Sequence, residues 1–116
     1  MRHHSNKRKF GREKNQRNAL MSSLTRNLIR DDRIRTTTAK AKELRPMVEK
    51  LVTKAKTATV ASRRLVVSRI HGQAETKKLF DTIAPKYKDR KGGYTRIIKL
   101  PNRDLDNSPM SLIEFV

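Results

Sequence analysis

Three groups of residues in this 116-residue chain are of types that can do chemistry: the histidines His3, His4 and His71, the acids Asp31-Asp32 and Asp104-x-Asp106, and the glycine pair Gly92-Gly93, whose backbone could approach a ligand closely. A metal centre needs three or four ligands held at a fixed spacing by a scaffold. His3 and His4 are neighbours in a polar stretch, and His71 stands alone beside Gly72. The acid pairs lie in segments that read as turns, where Asp is common because its carboxylate bonds nearby backbone amides. Gly92-Gly93 lacks the lysine and hydroxyl spacing of a phosphate-binding loop, and no dinucleotide fingerprint occurs. The pattern therefore predicts no catalytic residue, metal, cofactor or small-molecule substrate.

Charge is the remaining chemistry. Twenty-nine Lys and Arg against eleven Asp and Glu give a formal charge of +18, with a pI near 11.2. Self-repulsion on that scale works against the free compact state, whereas each phosphate contact releases condensed counterions and favours a bound one. Nucleic acid is the expected partner. The sharpest concentration is residues 1–17, where Arg2, Lys7, Arg8, Lys9, Arg12, Lys14 and Arg17 meet the single acid Glu13. Such a segment has almost nothing to bury and gains by lying along a polyanion, threading between RNA helices that a globular surface cannot enter. Phe10, the one ring in that stretch, has no adjacent apolar residues to join and is expected to stack on a base.

No Cys is present, which suits a reducing compartment. No apolar run approaches the ~18 residues of a membrane span, and none of signal-peptide length follows the basic start. A soluble intracellular protein with no membrane partner is expected. An organellar transit peptide is the weaker alternative, because the stretch lacks a regular amphipathic period.

The elements that must position these cations follow from periodicity. Leu20, Leu24 and Leu28, widened by Met21 and Ile29, predict a helix over 15–30, with Asp31-Asp32 in the turn that stops it. Arg33 to Thr37 alternates as a short strand, placing Ile34 and Thr36 on one face and Arg33 and Arg35 on the other. Thr37 or Thr38 then caps a second helix carrying Ala41, Leu44, Val48, Leu51, Val52 and Ala55, in which Pro46 predicts a kink or a later start. A third helix bears Val60, Ala61, Leu65, Val66 and Ile70 with Arg63, Arg64 and Arg69 outward, and Gly72 ends it. A fourth runs over 73–84, burying Leu79, Phe80 and Ile83, and Pro85 stops it.

Residues 85–93 form a basic loop closed by two glycines that can take positive φ, and 94–100 and 110–116 read as strands. The linker 101–109 is long for a tight hairpin, so the last two strands need not be neighbours. The expected architecture is α+β: four helices on one face of a small three-stranded mixed sheet, with an extended basic tail over 1–14 and a single domain over 15–116. Its modest core leaves the other sheet face, edged by Arg33, Arg35, Arg96 and Lys99, available to a partner. Lys88, Arg90 and Lys91 in the loop, together with Arg63 and Arg64, complete the phosphate-binding candidates, and Tyr94 is a candidate for base stacking. Lys50, Lys54, Lys77 and Lys78 lie among acids at helical spacing and read as a solvated face.

Specific strings go further than composition. Met1-Arg-His, the 15–30 segment running into Arg33-Ile-Arg-Thr-Thr37, Ala39-Lys-Ala-Lys-Glu-Leu-Arg45, Ala61-Ser-Arg-Arg-Leu65, Lys78-Leu-Phe80 with Ile83-Ala-Pro85, Arg90-Lys-Gly-Gly-Tyr-Thr-Arg96, and the closing 106–116 occur in one order. In these the chain resembles the bacterial large-subunit ribosomal protein seventeen family over essentially its whole length. The resemblance implies a non-catalytic, cytoplasmic constituent of the large ribosomal subunit, bound to large-subunit ribosomal RNA near the exit of the nascent-peptide tunnel. It also implies neighbouring large-subunit proteins as partners and no homo-oligomer. Carried over by motif, RNA contact falls on Arg2, His3, Lys7, Arg8, Lys9 and Arg12, and on Arg90, Tyr94 and Arg96. Pro46 departs from the family pattern in its helix, and so does the spacing of Lys7 to Phe10. The rival is a free-standing nucleic-acid chaperone or chromosome-binding protein, which shares the charge but not the ordered strings.

Overall fold

The computed structural model describes residues 9–116. Helix α1 (Lys14–Asp31) leads into strand β1 (Arg33–Thr37), then come helices α2 (Thr38–Thr57), α3 (Val60–Ile70) and α4 (Gln73–Lys78), and finally strands β2 (Thr95–Leu100) and β3 (Met110–Phe115). The helices lie on one side of the sheet, so the α+β class holds. Only α2 contacts all three strands, while α3 packs on α1 and α2 and α4 packs on α1 and α3.

The sheet is antiparallel throughout, not mixed, with order β1-β3-β2. Both β1 and β2 pair antiparallel with β3 and so run in the same direction. The helical segment that joins them would give a parallel pair if they were adjacent, but β3 inserts between them. Residues 101–109 also do not separate their strands, because Thr95↔Phe115 through Leu100↔Met110 pair directly. The loop shortens itself by folding back, with Arg103 N bonded to Ser108 O at 2.9 Å and Asn107 N to Arg103 O at 2.8 Å.

Helix α2 buries Ala41, Leu44, Val48, Leu51, Val52 and Ala55, the stripe its periodicity predicts. It begins at Thr38 under the Thr37 cap and continues through Pro46 rather than starting late. Pro46 and Lys42 are exposed, so the carbonyl deprived of its donor by the proline is solvated instead of buried. Helix α3 opens with a reciprocal capping box, Ser62 N to Thr59 Oγ1 and Thr59 N to Ser62 Oγ, each 3.0 Å. Its left-handed terminus falls on His71 (φ 56°), not on Gly72. A Cβ at Gly72 would lie 2.5 Å from Glu75 Oε2 and 3.0 Å from Arg26 Cδ, both in flexible side chains that would have to move aside.

The helical path also passes the expected stop at Pro85. After α4 it widens to a π turn over Leu79–Ile83 and tightens to a 3-10 turn over Ala84–Tyr87, with Pro85 early in that last turn, where its missing N–H costs little. These changes of pitch bring Leu79, Phe80, Ile83, Ala84 and Tyr87 all into the core.

Candidate nucleic-acid interface

Loop 88–93 is anchored by the chain's two tyrosines, which bracket it. Tyr87 and Tyr94 are 4% and 1% exposed, with ring centroids 5.1 Å apart. The Tyr87 hydroxyl donates to Val116 O at 2.7 Å, and Val116 N donates to Tyr94 O at 2.9 Å. From α2, Lys56 donates to Arg90 O and to the Tyr94 hydroxyl at 3.1 Å, its ammonium 5.3 Å from that ring's centre. The Tyr94 hydroxyl in turn donates to Arg90 O at 3.1 Å. Hydrogen bonding with Thr53 and then with Lys56 holds the Tyr94 phenol below its ordinary pKa. Glu49 secures the start of β2 by accepting from Thr95 Oγ1 at 2.9 Å and Thr95 N at 3.3 Å.

Above this base the loop reverses through Gly92 (φ 105°) and Gly93 (φ 65°), a conformation that strains any residue with a Cβ. Lys88, Arg90 and Lys91 are exposed. The Arg90 guanidinium lies over the Tyr87 ring at 5.8 Å and donates to Gly93 O at 3.3 Å, which holds it close to the protein surface. Three cations against Asp89 leave the 88–91 stretch at a formal +2.

The open sheet face adjoins this loop. The register places Arg33, Glu114 and Arg96 in one row, Arg35, Leu112 and Ile98 in the next, and Thr37, Met110 and Leu100 in the last. Arg96 is tied to Glu114 by an ion pair at 2.6 Å, whereas Arg33 and Arg35 are exposed and carry no ion pair among the described residues. Lys99 does not share this face. It pairs with Ser111, which is buried, and so follows the helix-side alternation, lining a hollow with Lys42 beside the start of α2.

Of the two ring candidates, one is overturned. Tyr94 cannot stack on a base, because its ring is enclosed by Tyr87 and Lys56. Phe10 packs partly against the core. Left-handed Phe10 (φ 54°) and Gly11 (φ 63°) turn the chain back, and Arg12 clamps the turn by donating to Phe10 O at 2.9 Å.

The remaining candidates occupy other surfaces. Lys9 and Lys14 are exposed and Arg17 is half-buried near the start of α1, separated from the sheet by a helix about 26 Å long. Arg63 and Arg64 line a groove between α3 and α4 with Lys77. There Arg63 is partly occupied, 4.9 Å from the Phe80 ring centre and 3.7 Å from Asp81. Arg2, His3, Lys7 and Arg8 lie outside the described residues. The cations thus form separate groups: the helix start, the α3–α4 groove, and the sheet end with its loop. Lys56, Tyr87 and Glu49, which position the last of these, had no assigned role in the sequence, although the placement of the only two tyrosines on either side of the loop was a usable signal.

No group of three or more His, Asp or Glu that could hold a metal occurs among the described residues, and none of their helices is long and apolar enough to cross a membrane. Residues 20–116 match the family model described as Ribosomal protein L17. The chain is 53% identical over its full length to a Sphingopyxis alaskensis protein named Large ribosomal subunit protein bL17, covering 84% of that relative. Relatives with the same name from Rhodopseudomonas palustris and a Sulfurihydrogenibium species are 49% and 50% identical, again across the whole chain, which spans 86% and 97% of them.

Proposed function

The chain belongs to the ribosomal protein L17 family, and from that we propose that it is a structural constituent of the large ribosomal subunit, held on large-subunit ribosomal RNA by its basic extension and by loop 88–93. The observation that carries the RNA contact is the anchored loop. Exposed Lys88 and Lys91 project from a base that the buried tyrosine pair, Lys56 and Glu49 hold in place, so little ordering entropy is lost when a phosphate arrives. In this reading residues 1–14 supply a second, basic arm, and 15–116 form the body that sets where both project. The proposed site is the cytoplasmic ribosome, near the exit of the nascent-peptide tunnel and beside other large-subunit proteins.

With Tyr94 enclosed and Phe10 half-buried against the core, the body relies on charge and shape more than on stacking rings. Its part in recognition is to fix orientation through phosphate contacts. Arg33 and Arg35 extend the loop's field along the open sheet. Arg96 contributes less because Glu114 neutralises it, and Lys99 acts from the helix side of the sheet.

Titration of purified large-subunit ribosomal RNA at several salt concentrations tests the contact. If six to ten phosphates are engaged, affinity falls roughly 10³- to 10⁵-fold between 50 and 200 mM salt. A flat response refutes it. Sedimentation in moderate salt tests the ribosomal setting: the chain travels with the large subunit, while a chain that stays off the subunit and coats DNA is a general nucleic-acid chaperone instead.

A further inference from the structure

The β2–β3 loop reverses the electrostatic character of the rest of the chain. Over residues 101–109, Arg103 faces Asp104 and Asp106, a formal charge of −1 in a chain of +18. The loop is rigid as well. Besides its two backbone bonds, Ser108 N donates to Asp106 Oδ1 at 3.1 Å, Asn102 Nδ2 donates to Asn107 Oδ1 at 3.3 Å, and Asn107 takes a left-handed φ of 56°. Arg103 is held at 3.4 Å from both Asp106 Oδ2 and Met110 Sδ. At the tip sits Leu105, 96% exposed.

A large aliphatic side chain gains nothing from full exposure, and here a dense set of local hydrogen bonds keeps it in the open. Leu100 and Met110 pair where the loop leaves the sheet, and Ile98 and Leu112 form the next apolar step on the open face. Ile98 is 42% exposed. We propose that Leu105 and this apolar end of the open sheet form a docking surface for a neighbouring protein that offers an apolar socket rimmed by Lys or Arg.

The charge selects the occupant. Two carboxylates beside Leu105 repel a phosphate backbone, and hydrogen bonding from Ser108 keeps the Asp106 carboxyl below its ordinary pKa, hence ionised. The apolar rows contain no ring on which a base could stack. A basic protein surface meets both the apolar tip and its acidic flanks, and a fixed loop docks without loss of its own freedom. The Leu100–Met110 end and the Leu105 tip lie at the opposite end of the sheet from Arg33 and Arg96, and only the Ile98–Leu112 step borders an RNA-facing cation, Arg35, so RNA and protein can be engaged together.

The surface is tested in assembled large subunits and rests on the ribosomal reading above. Wild type and Leu105→Asp are incorporated, washed with high salt and quantified, and both are titrated against naked large-subunit ribosomal RNA. Salt weakens the phosphate contacts but not apolar burial, so after washing the wild type is retained about tenfold or more over Leu105→Asp. Naked-RNA affinities and thermal midpoints stay equal, and Leu105→Met restores retention. With benzoylphenylalanine in place of Leu105, irradiated subunits yield an adduct to a protein peptide whose apolar residues are flanked by Lys or Arg. Equal retention, a matching loss of RNA affinity, or an adduct only to RNA or to a second copy of this chain overturns the docking surface while the wild type still sediments with the subunit. A wild type that does not sediment with it removes both readings.

Discussion

Replacement of Tyr94 separates a ring that binds RNA from one that holds a loop. The ring is 1% exposed, packs 5.1 Å from Tyr87, and its hydroxyl joins Lys56 and Arg90 O, both at 3.1 Å. Tyr94→Phe keeps the ring and removes the hydroxyl's hydrogen bonds with Thr53, Lys56 and Arg90 O, each contributing about 1 kcal/mol net, so unfolding free energy should fall by about 1–3 kcal/mol. Tyr94→Ala also leaves a cavity where an aromatic ring was enclosed, a change that costs about 3–5 kcal/mol. For a domain whose total stability is of order 5–15 kcal/mol, that can unfold much of the population at ambient temperature.

Urea unfolding of the free protein, followed by circular dichroism, measures both variants without RNA. A stacking residue gives the opposite pattern. Phe would stack as well as Tyr, and Ala would lose about 1–3 kcal/mol of RNA affinity while leaving the free protein intact. A Tyr94→Ala stability loss below about 1 kcal/mol, accompanied by weaker RNA binding, would therefore refute the enclosed ring and restore the stacking assignment.

Pro46→Ala should stabilise the protein. The substitution restores a donor inside α2 and removes a residue about 3 kcal/mol less favourable than Ala in a helix, offset by roughly 1 kcal/mol of added freedom in the unfolded chain. A gain of about 2 kcal/mol in the same urea assay is expected, and no gain would mean that α2 relies on the proline. Burial is the largest influence on Tyr87 and raises its pKa. Its contribution is therefore complete below the ordinary phenol range and is lost as pH rises through that range toward the folded value. Stability should fall at alkaline pH less steeply in Tyr87→Phe than in wild type. For Tyr94, whose pKa is lowered, the contribution grows as pH rises, so Tyr94→Phe should steepen the fall; equal slopes in all three proteins would rule out both effects.

Local patterns identified the helices because an amphipathic stripe is written within one element. The six buried positions of α2 can be read from their three- and four-residue steps. The path beyond Ile83 could not, because π and 3-10 turns depend on how Phe80 and Tyr87 meet a core built from other segments. Strand pairing is equally non-local. Nothing in 101–109 announces that β3 will lie between β1 and β2, and the antiparallel sheet follows only from that insertion. The 94–100 strand also begins one residue later than expected, at Thr95 after the Gly93 reversal, which leaves Tyr94 outside the strand.

The candidate site shows a related asymmetry between abundant and scarce charge. Listing cations overstates the interface, since Arg30, Arg45, Arg63, Lys78, Arg96 and Arg103 each have a carboxylate within 4 Å. The eleven acids carry more information because each one cancels the field locally. Residues 1–12 contain none, 88–91 contain one against three cations, and 101–109 contain two against one. Those three stretches are the proposed basic arm, the anchored loop proposed to face RNA and the proposed protein-facing tip. In a chain this basic, the placement of Asp and Glu therefore separates surfaces that attract phosphate from the one that does not. The Glu114 pairing explains why the separation still needs the fold: Arg96 and its carboxylate are eighteen residues apart, and only the sheet register brings them together.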